Sequence, residues 1–379
     1  MVWAILFGGL MLLGIAALFF LIHSAQKFRF VAALSHNKKG LRLLIGAALI
    51  LLPAAGTWLL WGYMNTIAIL LHLAVFWAAA ALVQFVLQKR RKQPLKRYYA
   101  GAVAVAVTVL YLGAGYFAAN HVWQTNYTLT TAKKVGTLRV ALLSDSHVGT
   151  TFSGKGLAAH IRRINAQKPD VVVVTGDFVD ESTSKEDMLD ACSALGQLNP
   201  AYGVYFVFGN HDKGKYANGK RSYTGDDLIA QLQKNNVTVL QDEAVLIDNR
   251  FYLVGRQDAS EELDFGGSRA TAAELTSNLN QEKYTIVLDH QPRDYAAEAN
   301  TNADLVLSGH THGGQMIPLM QFMRWFHLWE DNIYGLERHN NTDFIVTSGI
   351  SDWAMQFKTG CSVTVKSFTN VCTNTCSAA

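Results

Sequence analysis

The sequence predicts an α/β domain that follows a four-helix transmembrane region. Two observations carry this prediction. Residues 1–120 contain 11 Lys and Arg and no Asp or Glu, whereas the rest of the 379-residue chain contains 22 basic and 29 acidic residues. Apolar stretches of about 20 residues before residue 120 then give way to short β-rich runs. Half of all residues are hydrophobic, at 50%, which excludes an intrinsically disordered chain.

The N-terminal part, residues 1–118, is predicted to span a membrane four times. Each of its apolar runs lacks charged residues and reaches the roughly 20 residues that a helix needs to cross the hydrocarbon core. The predicted spans are residues 1–22, 43–62, 65–87 and 99–118. A cleaved signal peptide is the alternative for the first span, but no basic segment precedes its long apolar core. His72 lies inside the third span, where we interpret it as a packed interhelical donor.

The basic residues predict the orientation of these spans. Five lie in the loop 24–42 and six in the loop 89–97, and none lies between the second and third spans. The positive-inside rule makes both loops cytoplasmic. We therefore expect an integral protein of the inner or plasma membrane, with the lipid bilayer as a partner and its C-terminal domain outside the cytoplasm. That domain would be periplasmic in a Gram-negative bacterium. Its acidic balance argues against nucleic acid as a partner.

The pattern assigns residues 137–370 to the α/β domain. A linker or entering edge strand precedes the domain at 119–136, and a tail follows it at 371–379. A helix is predicted from Gly156 to Gln167, before Pro169. The spacing of the apolar runs indicates a sheet that is buried on both faces. The predicted strands are Leu138–Leu143, Val171–Thr175, Tyr205–Phe208, Phe251–Val254, Thr285–Leu288, Asp304–Leu307 and Phe344–Thr347.

Polar clusters that contain potential metal ligands directly follow five of these strands. Loops at the carboxyl ends of parallel strands converge on one crevice, so distant residues can meet there. Imidazole, carboxylate and Asn oxygen suit Mn, Fe, Zn or Co, and the absence of cysteine from the clusters argues against a structural zinc site. The clusters are Ser144-Asp145-Ser146-His147, Gly176-Asp177-Phe178-Val179-Asp180, Gly209-Asn210-His211-Asp212, Asp289-His290-Gln291-Pro292 and Gly309-His310-Thr311-His312-Gly313-Gly314-Gln315.

In their order and spacing, these clusters resemble the signature of the calcineurin-like metallophosphoesterase superfamily. The run from Gly309 to Gln315 resembles a membrane-associated bacterial subgroup, the YkuE/YaeI-type phosphoesterases. The resemblance covers roughly residues 137–370. It implies a four-layer α/β/β/α sandwich and a metal-dependent phosphoric ester hydrolase.

The resemblance also implies two divalent metal ions, Mn, Fe, Zn or Co, with Asp177 as the bridging carboxylate. The ligands would be Asp145, His147, Asp177 and His312 for one ion and Asp177, Asn210, His290 and His310 for the other. Asn210 and His211 would be catalytic, with His211 as general acid or charge stabiliser. The implied mechanism is in-line attack of a metal-bridging hydroxide on phosphorus.

The expected substrate is a phosphodiester or pyrophosphate in an envelope lipid or glycan. The alternative is a non-catalytic membrane protein whose domain binds a phosphorylated ligand. The complete set of ligands, together with His211, favours the enzyme.

Several other residues leave two interpretations open. Asp180 and Asp212 could orient ligand histidines or act as capping or solvated carboxylates, and Asp289 is a weaker candidate for the first role. Gln315 could line the site or make a turn hydrogen bond. Arg256 could contact a phosphate, but a surface salt bridge is the preferred interpretation.

Two C-terminal segments are also open. The aromatic-rich segment Met316–Glu337, with Trp325 and Trp329, could be a core helix or a β-hairpin cap, or an apolar lip that faces lipid. The cysteines near the end, Cys361, Cys372 and Cys376, allow a disulfide outside the cytoplasm, and the sequence does not choose the pair. The sequence leaves the oligomeric state open, as well as any role of four spans beyond anchoring.

Overall fold

The computed structural model describes residues 2–91, 98–317, 330–360 and 369–375. The chain forms two compact units. The first comprises Met1–Phe117 and Ala354–Phe357, and the second comprises Ala118–Trp353 and Lys358–Ala379.

Long apolar helices make up most of the first unit. The N-terminal helices are α1 (Val2–Ala25), α2 (Arg29–Leu34), α3 (Lys39–Arg91) and α4 (Ala100–Asn120). Within the described residues, three helical segments are long and apolar enough to cross a membrane: Gly8–Ala25, Lys39–Arg91 and Ala100–Asn120.

Helix α3 bends back on itself at Gly62. This glycine adopts φ 80° and ψ 173°, which no α-helix contains. Thr57 Oγ1 and Thr66 Oγ1 lie 3.1 Å apart, although nine residues of straight helix would separate them by about 13.5 Å along the axis. The 53 residues of α3 therefore form two arms. The bend lies beside the boundary that the sequence places between its second and third apolar runs.

Polar side chains in this unit find partners close by. His72 Nδ1 lies 2.7 Å from the Ala68 carbonyl oxygen, and its ring stacks on Tyr111 with a centroid distance of 5.5 Å. The buried Asn65 donates to the Ala354 carbonyl at 3.1 Å and accepts from the Gln356 amide at 2.8 Å. These bonds satisfy polar groups that would otherwise be costly to bury.

Two six-stranded sheets and short helices form the second unit. The remaining helices are α5 (Gly154–Ala166), α6 (Lys185–Leu195), α7 (Gly225–Lys234), α8 (Ser260–Leu263), α9 (Ala272–Thr276) and α10 (Tyr295–Glu298). The strands are β1 (Thr125–Thr131), β2 (Leu138–Leu143), β3 (Val171–Thr175), β4 (Val204–Val207), β5 (Val237–Val239), β6 (Glu243–Ile247), β7 (Phe251–Gly255), β8 (Tyr284–Leu288), β9 (Leu305–Ser308), β10 (Gly335–His339), β11 (Thr342–Val346) and β12 (Thr369–Thr375).

The strand order explains how distant motifs can meet. One sheet has the order β1-β12-β2-β3-β4-β5, and the other has the order β10-β11-β9-β8-β7-β6. Strands β2, β3 and β4 are parallel neighbours, and so are β7, β8 and β9. Their carboxyl ends therefore lie along one edge of each sheet.

Alternating side chains of the strands pack into different cores. In β2, Val140 and Leu142 join a cluster with residues of the other sheet such as Ile286. The intervening Ala141 packs with residues of α5 such as Ile161. This alternation follows from the period of two along a strand, and it buries both faces of the sheet.

The structure matches the predicted strands closely and also contains strands that the sequence did not predict. Strands β2 and β3 have the predicted bounds, and the other predicted strands differ by a residue or two. Strand β1 is an edge strand, as in one of the two interpretations of residues 119–136, whereas β12 crosses the boundary placed at residue 370. Both are polar, and β12 is defined by pairing with β1 and β2 rather than by an apolar pattern. Strands β5, β6 and β10 were also not predicted.

Candidate metal centre and active site

The predicted ligands lie on loops that begin where β2, β3, β4, β8 and β9 end. Two three-residue groups among them each place ligand atoms within 4.8 Å of one another. We call them group one (Asp145, His147 and His312) and group two (Asp177, His290 and His310).

Asp177 belongs to group two but also faces group one. Its Oδ2 is 3.2 Å from His290 Nε2 in group two and 3.6 Å from His147 Nε2 in group one. Its Oδ1 accepts a hydrogen bond of 3.0 Å from the His211 backbone amide. One carboxylate thus faces both groups and also fixes the loop that carries His211.

The atoms of group one converge on one point. His147 Nε2 and His312 Nε2 are 3.2 Å apart, and His312 Nε2 is 3.7 Å from Asp145 Oδ1. Asp145 Oδ1 also accepts a hydrogen bond of 2.8 Å from the His310 amide, which ties group one to the loop of group two.

Buried polar atoms at this centre fit a bound cation. Within the described residues, Asp145 Oδ2, Asn210 Oδ1 and His310 Nδ1 are buried and have no hydrogen-bond partner. Such unsatisfied atoms are costly in a folded protein, and a metal ion would satisfy them. The oxygen and imidazole donors suit divalent Mn, Fe, Co or Zn.

Backbone strain is concentrated at the same residues. The predicted ligands with positive φ are Asp145 (53°), His147 (35°), Asp177 (49°), His310 (71°) and His312 (51°). Side chains rarely adopt this conformation, and its clustering is typical of functional sites. Gly209 and Gly309 permit the close approach of the loops, because a Cβ at either residue would collide with an Asp carboxylate of the centre.

Each group contains one histidine that favours the charged form and one that favours the neutral form. Burial lowers the pKa of His147, but the adjacent Asp180 carboxylate and other nearby Asp charges outweigh it and raise that pKa to about 9. At His290, burial again lowers the pKa, but the Asp177 carboxylate outweighs it and raises that pKa well above its usual value.

The partner histidines shift the other way. Burial and the charge of His147 hold the pKa of His312 well below its usual value. Burial and the charge of His290 lower the pKa of His310 to about 3. The two charged imidazoles therefore balance the carboxylates of the centre when no metal ion is bound.

Comparison with known proteins places this centre in a family. The family model described as calcineurin-like phosphoesterase matches residues 138–314. An uncharacterised metallophosphoesterase of Aquifex aeolicus is 35% identical over 192 residues, which are 50% of this chain and 69% of that protein. The chain belongs to the calcineurin-like phosphoesterase family. The resemblance that the motifs indicate is thereby confirmed.

Two further relatives match this chain over a smaller share of their own length. A metallophosphoesterase of Campylobacter jejuni is 31% identical over 217 residues, covering 57% of this chain and 54% of that protein. A Bos taurus protein named as a transmembrane protein with a metallophosphoesterase domain is 33% identical over 199 residues, covering 49% of this chain and 42% of that protein. The chain thus spans about half the length of these two relatives.

In this member of the family, Asp180 and Asp212 make different contacts. Asp180 Oδ2 lies 3.3 Å from His147 Nδ1, the position of a carboxylate that orients a ligand histidine. Asp212 contacts backbone instead: its carboxylate accepts hydrogen bonds from the amides of Asp177, Phe178, Val179 and Gly209 at 2.8–3.0 Å. Burial and the charge of Asp177 raise the pKa of Asp212 to about 6.

Two other open interpretations have structural outcomes. Gln315 donates from Nε2 to the Trp353 carbonyl at 2.9 Å, and its own carbonyl accepts from the Thr359 and Gly360 amides, so it ties its loop to residues 353–360. The salt bridge expected at Arg256 is present, but its expected position at the surface is wrong. Arg256 is buried and pairs with Asp289 at 2.9 Å.

Three acidic partners of the site were not singled out from the sequence. Glu181 Oε2 lies 2.9 Å from His211 Nδ1, and Glu330 Oε1 lies 3.5 Å from His310 Nε2. Asp352, behind His312, forms a buried ion pair of 2.9 Å with Lys358. Glu181 directly follows the Gly176–Asp180 motif, which was a usable signal, whereas the other two lie outside every motif.

Other predictions fall on residues outside the described part of the chain. These include Trp325 and Trp329 of the proposed lip, and Cys361 and Cys376 of the proposed disulfide. Cys192 is a buried free thiol.

Proposed function

We propose that this protein is a membrane-anchored, dinuclear-metal phosphoesterase that hydrolyses a phosphodiester or pyrophosphate bond in an envelope lipid or glycan. One observation carries the proposal. Two ligand groups meet at a shared carboxylate, Asp177, directly beside His211. Metal ions a few ångströms apart, with a neighbouring proton donor, are the arrangement that hydrolyses phosphate esters.

Group one, with Asp177, would hold one ion, and group two, with Asn210, would hold the other. Bound divalent ions would supply Lewis acidity and lower the pKa of a coordinated water. The unsatisfied Asn210 Oδ1 and His310 Nδ1 support this assignment. The chain thereby presents both groups to a single phosphoryl group.

The remaining chemistry belongs to the protein. The His211 ring lies beside group one, with its centroid 5.1 Å from that of His147. In this position His211 can protonate the leaving oxygen or stabilise the charge that develops on it. The hydrogen bond from the His211 amide to Asp177 holds the backbone of His211 beside the two groups.

The membrane part of the proposal comprises four spans, with both basic loops in the cytoplasm and the catalytic domain outside it. The bend of α3 at Gly62 supports the four-span count, because it divides 53 residues into two arms that are each long enough to cross a bilayer. For the domain, at about residues 137–370, we propose the four-layer sandwich. The separate cores on the two faces of β2 support this arrangement.

Hydrolysis of bis(p-nitrophenyl) phosphate tests the activity. The full chain in detergent is stripped with chelator, reloaded separately with Mn, Fe, Co or Zn, and assayed. We expect turnover with at least one metal and none after chelation. The substitution His339→Gln, outside both groups, serves as the control and should retain activity. An absence of turnover with all four metals would leave the non-catalytic, ligand-binding alternative.

Two further experiments address location and substrate. A membrane-impermeant maleimide applied to spheroplasts should label Lys220→Cys in the domain but not Lys38→Cys in the first basic loop, with the unmodified chain as background. The reverse pattern would overturn the proposed orientation. Lipid extracts of a deletion strain, complemented with wild type or Asn210→Ala, should differ in one phosphorylated species that accumulates only without activity.

A further inference from the structure

The surroundings of His211 suggest how this chain orients its proposed acid. His211 Nδ1 lies 2.9 Å from Glu181 Oε2. The other oxygen of that carboxylate, Oε1, accepts a hydrogen bond of 3.2 Å from Trp353 Nε1. The His211 ring is also close to two aromatic rings, with its centroid 5.4 Å from that of Trp353 and 4.9 Å from that of Tyr216.

The adjacent acid, Asp180, is already engaged. Its Oδ2 faces His147 Nδ1 at 3.3 Å, and its Oδ1 accepts from the Ser182 amide at 2.8 Å and the Ser182 hydroxyl at 2.7 Å. Asp180 therefore serves a predicted metal ligand, and its neighbour Glu181 serves His211. Two consecutive carboxylates thus serve two different histidines of the site.

We propose that Glu181, held by Trp353, is a positioning residue that presents His211 Nε2 to the leaving oxygen. The Nδ1 proton of His211 is donated to Glu181, so only Nε2 remains to face the substrate. As the bond from phosphorus to the leaving oxygen breaks, the Nε2 proton moves to that oxygen. His211 is left neutral and keeps its Nδ1 proton, which still hydrogen-bonds to Glu181. Solvent then returns a proton to Nε2.

Trp353 is essential to this arrangement because Glu181 is partly exposed, with 31% of its side-chain surface accessible. An exposed carboxylate alone would hold an imidazole weakly, since its rotamers are free and solvent competes for its oxygens. The indole fixes one carboxylate oxygen and covers the His211 ring. The stretch that contains Trp353 is thereby given a role in the site that no motif of the sequence indicates.

This inference rests on the proposed phosphoesterase function, and leaving-group dependence tests it. Diphenyl phosphate releases a phenol of pKa about 10, which gains much more from protonation than p-nitrophenol does. We expect Glu181→Gln to lose roughly 10–100-fold in kcat on diphenyl phosphate and only roughly threefold on bis(p-nitrophenyl) phosphate, since general acid catalysis supplies about 10²–10⁴-fold. Trp353→Phe keeps an aromatic ring but removes the indole N–H donor. It should also lose more kcat on diphenyl phosphate than on bis(p-nitrophenyl) phosphate, with a smaller fold-change than Glu181→Gln.

Controls separate positioning from general damage. Glu186→Gln, an exposed residue on α6 with 81% of its side chain accessible, should match wild type on both substrates. His211→Asn should show the same substrate bias, and adding Glu181→Gln to it should cost little more, since the two residues act as one unit. Equal losses on both substrates, or additive losses in the double variant, would overturn the proposal.

A spectroscopic readout separates this inference from the proposed activity. In the zinc-loaded full chain labelled with ¹⁵N-histidine, the His211 resonances are assigned by their absence in His211→Asn. We expect a slowly exchanging Nδ1 proton in wild type that exchanges rapidly in Glu181→Gln. The same slow exchange in both would contradict the clamp even if the enzyme is active. Wild-type protein that shows the protected proton but hydrolyses neither substrate would instead contradict the proposed function, and with it the catalytic part of this inference.

Discussion

Group one and group two use the same residue types, but they differ in how tightly the protein encloses them. All three side chains of group one are buried, and the distal nitrogens of its histidines face fixed partners: Asp180 at 3.3 Å from His147 and the Ser351 carbonyl at 3.2 Å from His312. In group two, His290 Nδ1 also has a buried partner, the Thr175 carbonyl at 2.6 Å, but the His310 side chain is 25% exposed and its distal nitrogen faces Glu330 at 3.5 Å.

This difference suggests a division of labour. Ligands that are held by buried partners lose little freedom on binding, so they bind a metal more tightly. We therefore expect group one to hold its ion more tightly and exchange it more slowly. Group two, which opens to solvent through His310, is the side from which a substrate oxygen would approach.

The largest expected effect comes from Asp177→Asn, which removes the carboxylate that both groups share. Losing one electrostatic stabiliser of a transition state typically costs about 10²–10³-fold, and Asp177 faces both groups, so we expect the turnover of bis(p-nitrophenyl) phosphate to fall by at least that much. Metal content, measured by plasma mass spectrometry, should fall below that of wild type. Asp226→Asn, an exposed residue on α7, is the control. Two tightly held ions in Asp177→Asn would remove the basis for a shared carboxylate.

Asp180→Asn and Glu330→Gln compare the two enclosures directly. Orienting carboxylates contribute about 10–100-fold to metal affinity, and we expect a loss of that size for Asp180→Asn. Burial raises the pKa of Glu330 to about 8, so this residue is mostly neutral at pH 7 before metal binds. A neutral Gln should therefore change affinity only a few-fold. Competition with a fluorescent chelator measures the metal affinity of both variants.

The order of these two losses is the critical outcome. A larger loss in Glu330→Gln than in Asp180→Asn would show that group two, despite its opening, is the more strongly organised site. Thermal unfolding of each metal-free variant controls for damage to the fold.

The sequence predicts this site better than it predicts what surrounds it. Potential ligands follow apolar strands, and parallel strands bring their ends together, so Asp145 and His312 could be expected in one crevice although 167 positions separate them in the chain. The bounds of β2 and β3 followed from their continuous apolar runs. Local pattern was sufficient wherever burial on both faces determines the residue type.

Local pattern fails where tertiary pairing decides. Strand β12 is polar, and its conformation depends on β1 and β2 on either side of it. Glu330 and Trp353 reach the site from segments with no motif, because orientation of a histidine requires only one correctly placed donor or acceptor. Arg256 was expected at the surface because charge usually means exposure. Its three buried or half-buried acidic partners reverse that expectation.

Metal binding should release protons from both groups, although group two is more exposed to solvent than group one. At pH 7, which is below about 9, His147 holds a proton that an ion must displace, and the raised pKa of His290 has the same consequence in group two. His312 and His310, whose pKa values are lowered, release none. We expect at least about two protons per chain on full loading, and affinity that weakens as pH falls. Calorimetry in buffers of different ionisation enthalpy counts the protons, and a count near zero at pH 7 would contradict the charge assignment.

The smallest effect should come from Gly309→Ala, which tests how closely the loops of the two groups are packed. Gly309 precedes His310 of group two, but an added Cβ would collide with Ser144 Oγ and with Asp145 Oδ2 of group one. Overpacking of this kind typically costs about 1–3 kcal/mol, which thermal unfolding of the metal-free chain should detect. Gly225→Ala is the matched control, because its Cβ would meet Lys213 Cγ at an ordinary 3.4 Å.

Because the displaced atom belongs to Asp145, metal affinity should fall more at group one than at group two. An unchanged group one would mean that the Asp145 carboxylate can move without loss of its ion, and that its burial does not confer rigidity.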